Sequence, residues 1–526
     1  MANPQPHYQP HYHDAHFSAL ALEHFNVVAK PWQRRVGSTF MGLSAASVSV
    51  RMLCVKGTGL GKSILYQTLA AHYKEVTLYI SPLLTLGADQ VQKLMDRTNT
   101  ITTRFVPIFL DGIKSSAEAK EFAVLMKNVD PETVIILFAS PQTLVNRHKA
   151  FFKSVIRLIR FVVVDEIHLF NAFGRSFRSE FTGLKTVLFQ RLVNVPMLFL
   201  TATCTARIRD SFASMIGVAI THYDWPDEVL IRNRKVSLVC QYSSKPFSSM
   251  CRNASAVVHA DRQSKIIVYS NARKRVIELK EKIGNFLDGE DDLSMMQVLA
   301  IHGHQSKVEK TGYIQMFLSG NDEDDGVGDD NASSGMNFLC ATSGVANVGI
   351  DSDKVRAVYR MDFPPSIIDF VQECGRAGRV AEPSPQTNFY TVYYSIESFI
   401  YLYERAMNPE EECLDNSYRI EEVQDALDIA SLMVLQKECL YVEIERHLAN
   451  PLTIGQVNHT VRCSYCPFCN NESKVVPSLN REGVTTVFVN IFNTPPSNVR
   501  GSSGGNTSIS TVVLANAEVE DKEDQA

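Results

Sequence analysis

A short apolar run, Arg51–Val55, empties into Gly57-Thr58-Gly59-Leu60-Gly61-Lys62-Ser63, and the helix-like stretch ILYQTLAAHY follows at once. Three glycines within five positions break regular structure, so the chain must turn sharply between a strand and a helix. Such a turn lets backbone N–H groups curl around an anion while the next helix offers its positive N-terminus. A strand that leads into a helix returns to its sheet by a crossover, which makes the sheet parallel and the fold class α/β.

The same alternation runs through most of the chain. Val76–Ile80, Thr133–Phe138, Phe161–Val164 and Met197–Leu200 are further short apolar runs, each followed by a polar turn and a helix-like stretch. The pattern pauses near Tyr223–Val236 and restarts with Lys265–Tyr269, Gln297–Ile301, Asn337–Cys340, Val355–Arg360 and Phe389–Tyr394. Two α/β domains are therefore expected, over 21–222 and 223–395, with the acidic stretch 321–335 as a solvated insert. Residues 396–475 read as a helical module carrying a cysteine cluster. The segments 1–20 and 476–526 read as disordered tails. His7, His11, His13 and His16 in the first of these suggest metal binding less well than a polar tail.

Charge narrows the partners. Lys plus Arg number 52 against 57 Asp plus Glu, a formal net charge of -5, so any nucleic-acid binding must come from a local groove. No apolar run approaches the roughly 18 residues that span a bilayer, and the first 17 residues lack a signal-like apolar core. Eleven cysteines in a long chain without a secretion signal point to reduced thiols and a metal site. The expected compartment is nuclear, with cytoplasmic as the alternative.

Within the glycine turn, Lys62 is placed to neutralise β- and γ-phosphate charge and the Ser63 hydroxyl to ligate Mg²⁺. Thr58, Gly59, Leu60 and Gly61 would form the cradle. The strict pattern has Gly six positions before the lysine, where this chain has Lys56. About a hundred residues on, Phe161-Val162-Val163-Val164-Asp165-Glu166-Ile167-His168 delivers two carboxylates at the end of an apolar strand. Asp165 can hold Mg²⁺ through water, and Glu166 can act as general base for water attacking the γ-phosphate. The pair of motifs implies a nucleoside triphosphatase.

The remaining strings resemble RecQ-type superfamily 2 DNA helicases, over roughly residues 25 to 475. Lys30-Pro31-Trp32-Gln33 is similar to the family's adenine-recognising segment, which implies that Gln33 reads adenine and that the nucleotide is ATP. Val76–Leu83 with Asp89-Gln90-Val91, and Ala139-Ser140-Pro141, resemble two nucleic-acid-contacting motifs, implicating Ser81, Pro82 and Pro141. Leu169–Arg178 resembles the aromatic loop that senses single-stranded DNA, implicating Phe170, Phe173, Phe177 and Arg178. The family usually has Trp where this chain has Phe173. Thr201-Ala202-Thr203 resembles the motif whose hydroxyls link the carboxylates to the DNA face.

In the second domain the resemblance assigns Asn271, Arg273 and Thr342 to nucleic acid, and Gly349 and Asp351 to the nucleotide. Gln372-Glu373-Cys374-Gly375-Arg376-Ala377-Gly378-Arg379 is the most specific string. In the family its arginines reach the triphosphate held by the first domain, which makes Arg379 the finger, with Arg376 beside it and Gln372 near the attacking water.

Cys463, Cys466 and Cys469 are spaced C-x₂-C-x₂-C, with Cys439 upstream, and four thiolates suit tetrahedral Zn²⁺. Cys413 is a rival fourth ligand and an iron–sulfur cluster the rival cofactor. The resemblance implies a similar zinc platform after the second motor domain. The whole expectation is an α/β chain of two tandem RecA-like parallel-sheet domains followed by a small helical zinc-binding module. It would use ATP, Mg²⁺ and Zn²⁺ to act 3′ to 5′ on single-stranded or forked DNA, without a membrane. About 57 residues follow Cys469, too short and polar for the family's winged-helix domain. That leaves a DNA-stimulated ATPase or translocase with weak unwinding, an RNA-directed ATPase, or a non-catalytic DNA-binding scaffold as alternatives.

Overall fold

The computed structural model describes residues 10–46, 49–57, 59–82, 84–98, 105–128, 130, 132–147, 149–173, 183–224, 236–243, 245–290, 292–319, 336–342, 350, 352–378, 388–407, 416–434 and 439–448. These fall into two units. The first holds the described residues up to Asp224, and the second those from Val236 to Thr342 and from Ser352 to Ile444.

The first unit is a seven-stranded, wholly parallel sheet of β1 (Arg51–Val55), β2 (Glu75–Ile80), β3 (Phe105–Phe109), β4 (Val134–Ala139), β5 (Ile159–Val164), β6 (Met197–Thr201) and β7 (His222–Asp224). Their order across the sheet is β3-β4-β2-β5-β6-β1-β7. Every residue of β4 and of β6 is buried, as a sheet covered by helices on both faces requires. The order places β5, β6 and β1 side by side, so the turns after β1 and β5 open at one edge of the sheet, where parallel α/β sheets bind ligands.

Two helices, Pro10–Phe25 and Pro31–Ala46, precede β1. The first departs from the disordered tail expected over residues 1–20. Composition, with its many His and Pro, hides a helical spacing of apolar residues in which Phe17 and Ala21 are fully buried and Phe25 nearly so. His16 faces the sheet-packed helix Lys62–Tyr73, with Nε2 3.3 Å from Nδ1 of His72. Residues 1–9, including His7, lie outside the described residues, as does the side chain of His11.

The second unit is a six-stranded parallel sheet of β8 (Val236–Tyr242), β9 (Lys265–Ser270), β10 (Gln297–Ile301), β11 (Met336–Thr342), β12 (Val355–Arg360) and β13 (Asn388–Tyr394), ordered β10-β11-β9-β12-β13-β8. Helices Pro246–Ala260 and Arg273–Asp288 bury Met250, Val258, Val276 and Ile283 against it. Beyond β13 the chain is helical over Ile396–Met407, Asn416–Val434 and Leu440–Leu448. No described helix is long and apolar enough to cross a membrane. The expected boundary at 222/223 cuts through β7, whose three residues pair with β1.

Candidate nucleotide and nucleic-acid sites

The glycine turn is pinned at both ends. Lys56 N–H donates to Thr201 O of β6 at 3.0 Å, and Lys62 begins the helix that follows. Gly61 sits at φ +92°, a left-handed conformation that a side chain rarely adopts, and a Cβ there would lie 2.8 Å from the Gln33 amide nitrogen. Gln33 is buried and spends its amide on the chain: Nε2 donates to Gly61 O at 2.8 Å, and Oε1 accepts from Lys30 N–H at 2.7 Å. It ties the segment before the second helix to the phosphate turn. Lys62 Nζ donates to Lys56 O at 2.9 Å and Gly57 O at 3.4 Å, folded back on its own loop. Thr58 lies outside the described residues.

Lys56, standing where the glycine pattern has Gly, is buried with its ammonium 2.8 Å from Asp224 of β7. Asp224 also meets Arg35 at 3.2 Å. The turn is thus anchored to an edge strand that its sequence did not announce.

Asp165 and Glu166 follow β5. Asp165 N–H donates to Ile80 O at 2.9 Å, Oδ1 accepts from Glu166 N–H at 2.8 Å, and Oδ2 accepts from the Tyr79 hydroxyl. Burial and the Glu166 charge push the Asp165 carboxyl up, to about 6, while Lys62 and these two donors pull it back. A divalent cation with a triphosphate would complete what Lys62 begins. Glu166 itself is held at φ +50°, a costly conformation for a non-glycine residue that concentrates at functional sites. Its Oε2 is buried and makes no hydrogen bond among the described residues, although His168 Nδ1 lies 3.3 Å away.

His168 has a clear orienting partner. The Thr201 hydroxyl donates to Thr203 O at 2.8 Å, so its oxygen accepts from His168 Nδ1 at 2.8 Å, which assigns the proton to that nitrogen. Ser63 Oγ donates to Gln90 Oε1 at 2.9 Å, and the Tyr66 hydroxyl donates to the same oxygen at 3.0 Å. A hydroxyl, a buried carboxylate, a lysine and a glycine turn therefore gather at one edge. Their hard oxygen donors fit magnesium with a nucleoside triphosphate.

The nucleic-acid assignments fare unevenly. Ser81 and Pro141 are buried at the ends of β2 and β4, and Pro82 is half-buried. Pro141, like Ser81, is covered in this structure. Asp111 organises that corner: its carboxylate accepts from Ser140 N–H at 2.8 Å, from Ser140 Oγ at 2.5 Å and from the Thr143 hydroxyl. Phe170, expected to stack on bases, is fully buried, with its ring edge-on to Phe212 at 5.5 Å between centroids. It belongs to the core. The side chain of Phe173, and all of Phe177 and Arg178, lie outside the described residues.

In the second unit, Asn271 is also reassigned. Nδ2 donates to Phe363 O at 2.7 Å and Oδ1 accepts from Arg360, so its amide serves the unit rather than a nucleic acid. Arg360 is fully buried and holds four partners at once, with Asp362 at 2.7 Å, Glu373 at 2.7 Å and Phe363 O at 3.1 Å besides Asn271. Tyr390 donates to the other Glu373 oxygen at 2.9 Å. This network fixes the helix Ile367–Cys374, which Ser366 caps by accepting from Asp369 N–H at 3.2 Å. After that helix Gly378 takes φ +64° and donates its N–H to Val355 O at 3.1 Å, turning the arginine string back to the start of β12. Gln372 and Arg376 are buried beside Glu373. Arg273 is exposed and Thr342 half-buried, while Gly349, Asp351 and Arg379 lie outside the described residues.

Of the four cysteines, Cys439 is buried and its carbonyl accepts from Val442 N–H at 2.9 Å, opening the helix Leu440–Leu448. Cys463, Cys466 and Cys469 lie outside the described residues, as does Cys413. No metal-binding cluster occurs among the described residues. Tyr79, Asp111, Asp224 and Arg360 gave no functional signal in the sequence beyond being polar groups at or beside strand ends. Gln90 stood within a quoted motif without a role.

Comparison with known proteins agrees with this geometry. Residues 33–211 match the DEAD/DEAH box helicase family, and residues 248–381 match the helicase conserved C-terminal domain. The chain is 27% identical over 347 residues to the ATP-dependent DNA helicase RecQ of Pasteurella multocida, covering 64% of this chain and 47% of that protein. It is 27% identical over 387 residues to the ATP-dependent DNA helicase Q-like 4B of Arabidopsis thaliana, covering 70% and 29%. A putative ATP-dependent DNA helicase Q1 of Caenorhabditis elegans is 26% identical over 368 residues, covering 69% and 52%. The chain thus spans about half or less of the relatives it matches. Among solved structures, the DEAD-box helicase Mss116 bound to ssRNA and UDP-BeF superposes with a TM-score of 0.53 at 14% identity, covering 90% of this chain and 92% of that one. At that identity the likeness establishes the two-sheet fold.

Proposed function

Because the chain belongs to the RecQ-type superfamily 2 helicases, we propose that it is an ATP-dependent DNA helicase or translocase that moves 3′ to 5′ along single-stranded DNA. The observation that carries this reading is the single sheet edge on which the turn after β1 and the carboxylates after β5 both open. Lys62, released from Lys56 O, binds the β- and γ-phosphates, and the backbone from Thr58 to Gly61 cradles them. Magnesium, held with the nucleotide through Ser63 and Asp165, supplies charge neutralisation when bound. Glu166 takes a proton from the attacking water, with its carboxylate oriented beside His168. Gln33, on trading its Lys30 and Gly61 contacts for the base, gives the preference for adenine.

For Gln372, Arg376 and Arg379, and for Gly349 and Asp351, we propose the nucleotide-directed roles that the resemblance implies. Guanidinium groups stabilise charge developing on the transferred phosphoryl group. DNA contact is proposed for Ser81, Pro82, Phe173, Phe177, Arg178, Arg273 and Thr342. The proposed compartment is the nucleus.

A forked duplex built with matched DNA and RNA strands tests the reading. ATP-dependent separation of the DNA fork bearing a 3′ tail is the expected result. Separation of the RNA fork alone, or a requirement for a 5′ tail, would overturn it. Motion along single strands without fork opening would reduce it to a translocase.

A zinc site is proposed at Cys439, Cys463, Cys466 and Cys469, supported by the C-x₂-C-x₂-C spacing and the buried Cys439 thiol. Elemental analysis is expected to find about one zinc per chain, lost when Cys463 and Cys466 become Ser. A metal-free wild type of equal stability would refute the site.

A further inference from the structure

Asp165 ends in a torsion that is broad and roughly two-fold, so a carboxylate in this position needs outside donors to fix its plane. One is the Glu166 N–H on Oδ1, and the other is the Tyr79 hydroxyl on Oδ2. We propose that Tyr79 is a positioning residue for Asp165, its hydroxyl holding the carboxylate in the orientation that receives magnesium with ATP. The inference rests on the assignment of Asp165 made above.

Packing alone does not explain a tyrosine here. Tyr79 is fully buried in β2, its ring 4.9 Å from that of Tyr66 and 5.0 Å from that of Phe138. Phenylalanine would fill the same space without the cost of burying a hydroxyl. That hydroxyl has its partner in Asp165. The same strand holds the backbone as well, since Asp165 N–H donates to Ile80 O at 2.9 Å. Side chain and backbone of Asp165 are therefore both tied to β2. A parallel arrangement serves the other magnesium-directed oxygen: Tyr66 and Ser63 share Gln90 Oε1, at 3.0 and 2.9 Å. Two neighbouring tyrosines thus address the two side chains expected to meet the metal, one directly and one through an amide. Groups that orient metal-directed side chains commonly change metal affinity when removed.

The test is equilibrium binding of a fluorescent, slowly hydrolysed ATP analogue titrated with magnesium, for wild type, Tyr79→Phe and Tyr393→Phe. Tyr393→Phe also removes a buried hydroxyl, but one bonded to Asn253 in the other unit. Tyr79→Phe keeps the ring and its contacts, and its circular dichroism and melting curve check the fold. The magnesium concentration for half-saturation is expected to rise roughly tenfold or more in Tyr79→Phe and to stay at the wild-type value in Tyr393→Phe. A Tyr79→Phe titration that overlays the wild type overturns the inference, as does an equal shift in both variants. A wild type that binds no nucleotide at any magnesium concentration sinks the assignment of the site itself.

Discussion

Replacing Arg360 with alanine is expected to cost the second unit about 3–5 kcal/mol, the loss typical of a buried ion pair stripped of one partner. Arg360 is fully buried at the end of β12, and its guanidinium bridges Asp362, Glu373 and Asn271. Burial works against its charge, but Asp362 and Glu373 more than compensate, so the group stays cationic. Without it, two carboxylates remain in a site that water does not reach. Burial already pushes the Glu373 carboxyl up, to about 7, against the pull of Arg360. In the variant that pull is gone, and Glu373 folds protonated.

The sign of the pH dependence follows. A carboxyl whose folded pKa lies above its unfolded value favours the folded state most at pH below the unfolded value, and loses that contribution as pH rises through the folded one. Stability of Arg360→Ala should therefore fall between about pH 5 and pH 8 more steeply than that of the wild type. Urea denaturation of the full chain across that range reads both effects. A loss under about 1 kcal/mol would mean that the network contributes little beyond its packing. The double change Arg360→Met with Glu373→Gln, which removes both charges of the pair, should recover part of the loss.

The second large effect is on chemistry rather than on folding. Lys62→Ala is expected to lower ATP hydrolysis on the order of 10³-fold or more, since the proposed role of the ammonium is to neutralise charge on the phosphates in the transition state. The fold should scarcely notice. Among the described residues Lys62 Nζ hydrogen-bonds to the Lys56 and Gly57 carbonyls of its own loop, at 2.9 and 3.4 Å, and its side chain is half-buried. Such a site changes stability by about 0.5 kcal/mol or less. A melting curve that matches the wild type, beside a hydrolysis rate at background, is the expected pair of results.

Much of this architecture is legible in the sequence because parallel strands buried on both faces read as uninterrupted apolar runs. Arg51–Val55 and Val355–Arg360, both inner strands, have the bounds their composition gives. The strands that escape are at or near the edges. β3 carries Pro107, β7 has three residues, and β8 alternates buried with half-exposed positions. None presents the long apolar run that marks an inner strand. Glycine turns and paired carboxylates are legible for a different reason: their chemistry needs particular residue types at fixed spacing. Residues that hold those groups in place have no such constraint. Asp224 reaches Lys56 across 168 positions and Tyr79 reaches Asp165 across 86, and only the folded chain brings them together. Phe170 and Asn271 illustrate the converse. Both sit inside strings that resemble contact motifs, yet one is spent on packing against Phe212 and the other on Arg360.

In the proposed reading, ATP hydrolysis at the β1–β5 edge answers to DNA. Its most direct measurement is the steady-state ATPase rate of the wild-type chain titrated with single-stranded DNA, with Lys62→Ala alongside. The rate should climb with oligonucleotide to a plateau in the wild type and stay at background in the variant. Hydrolysis that ignores the oligonucleotide, or that survives the loss of Lys62, would contradict the account.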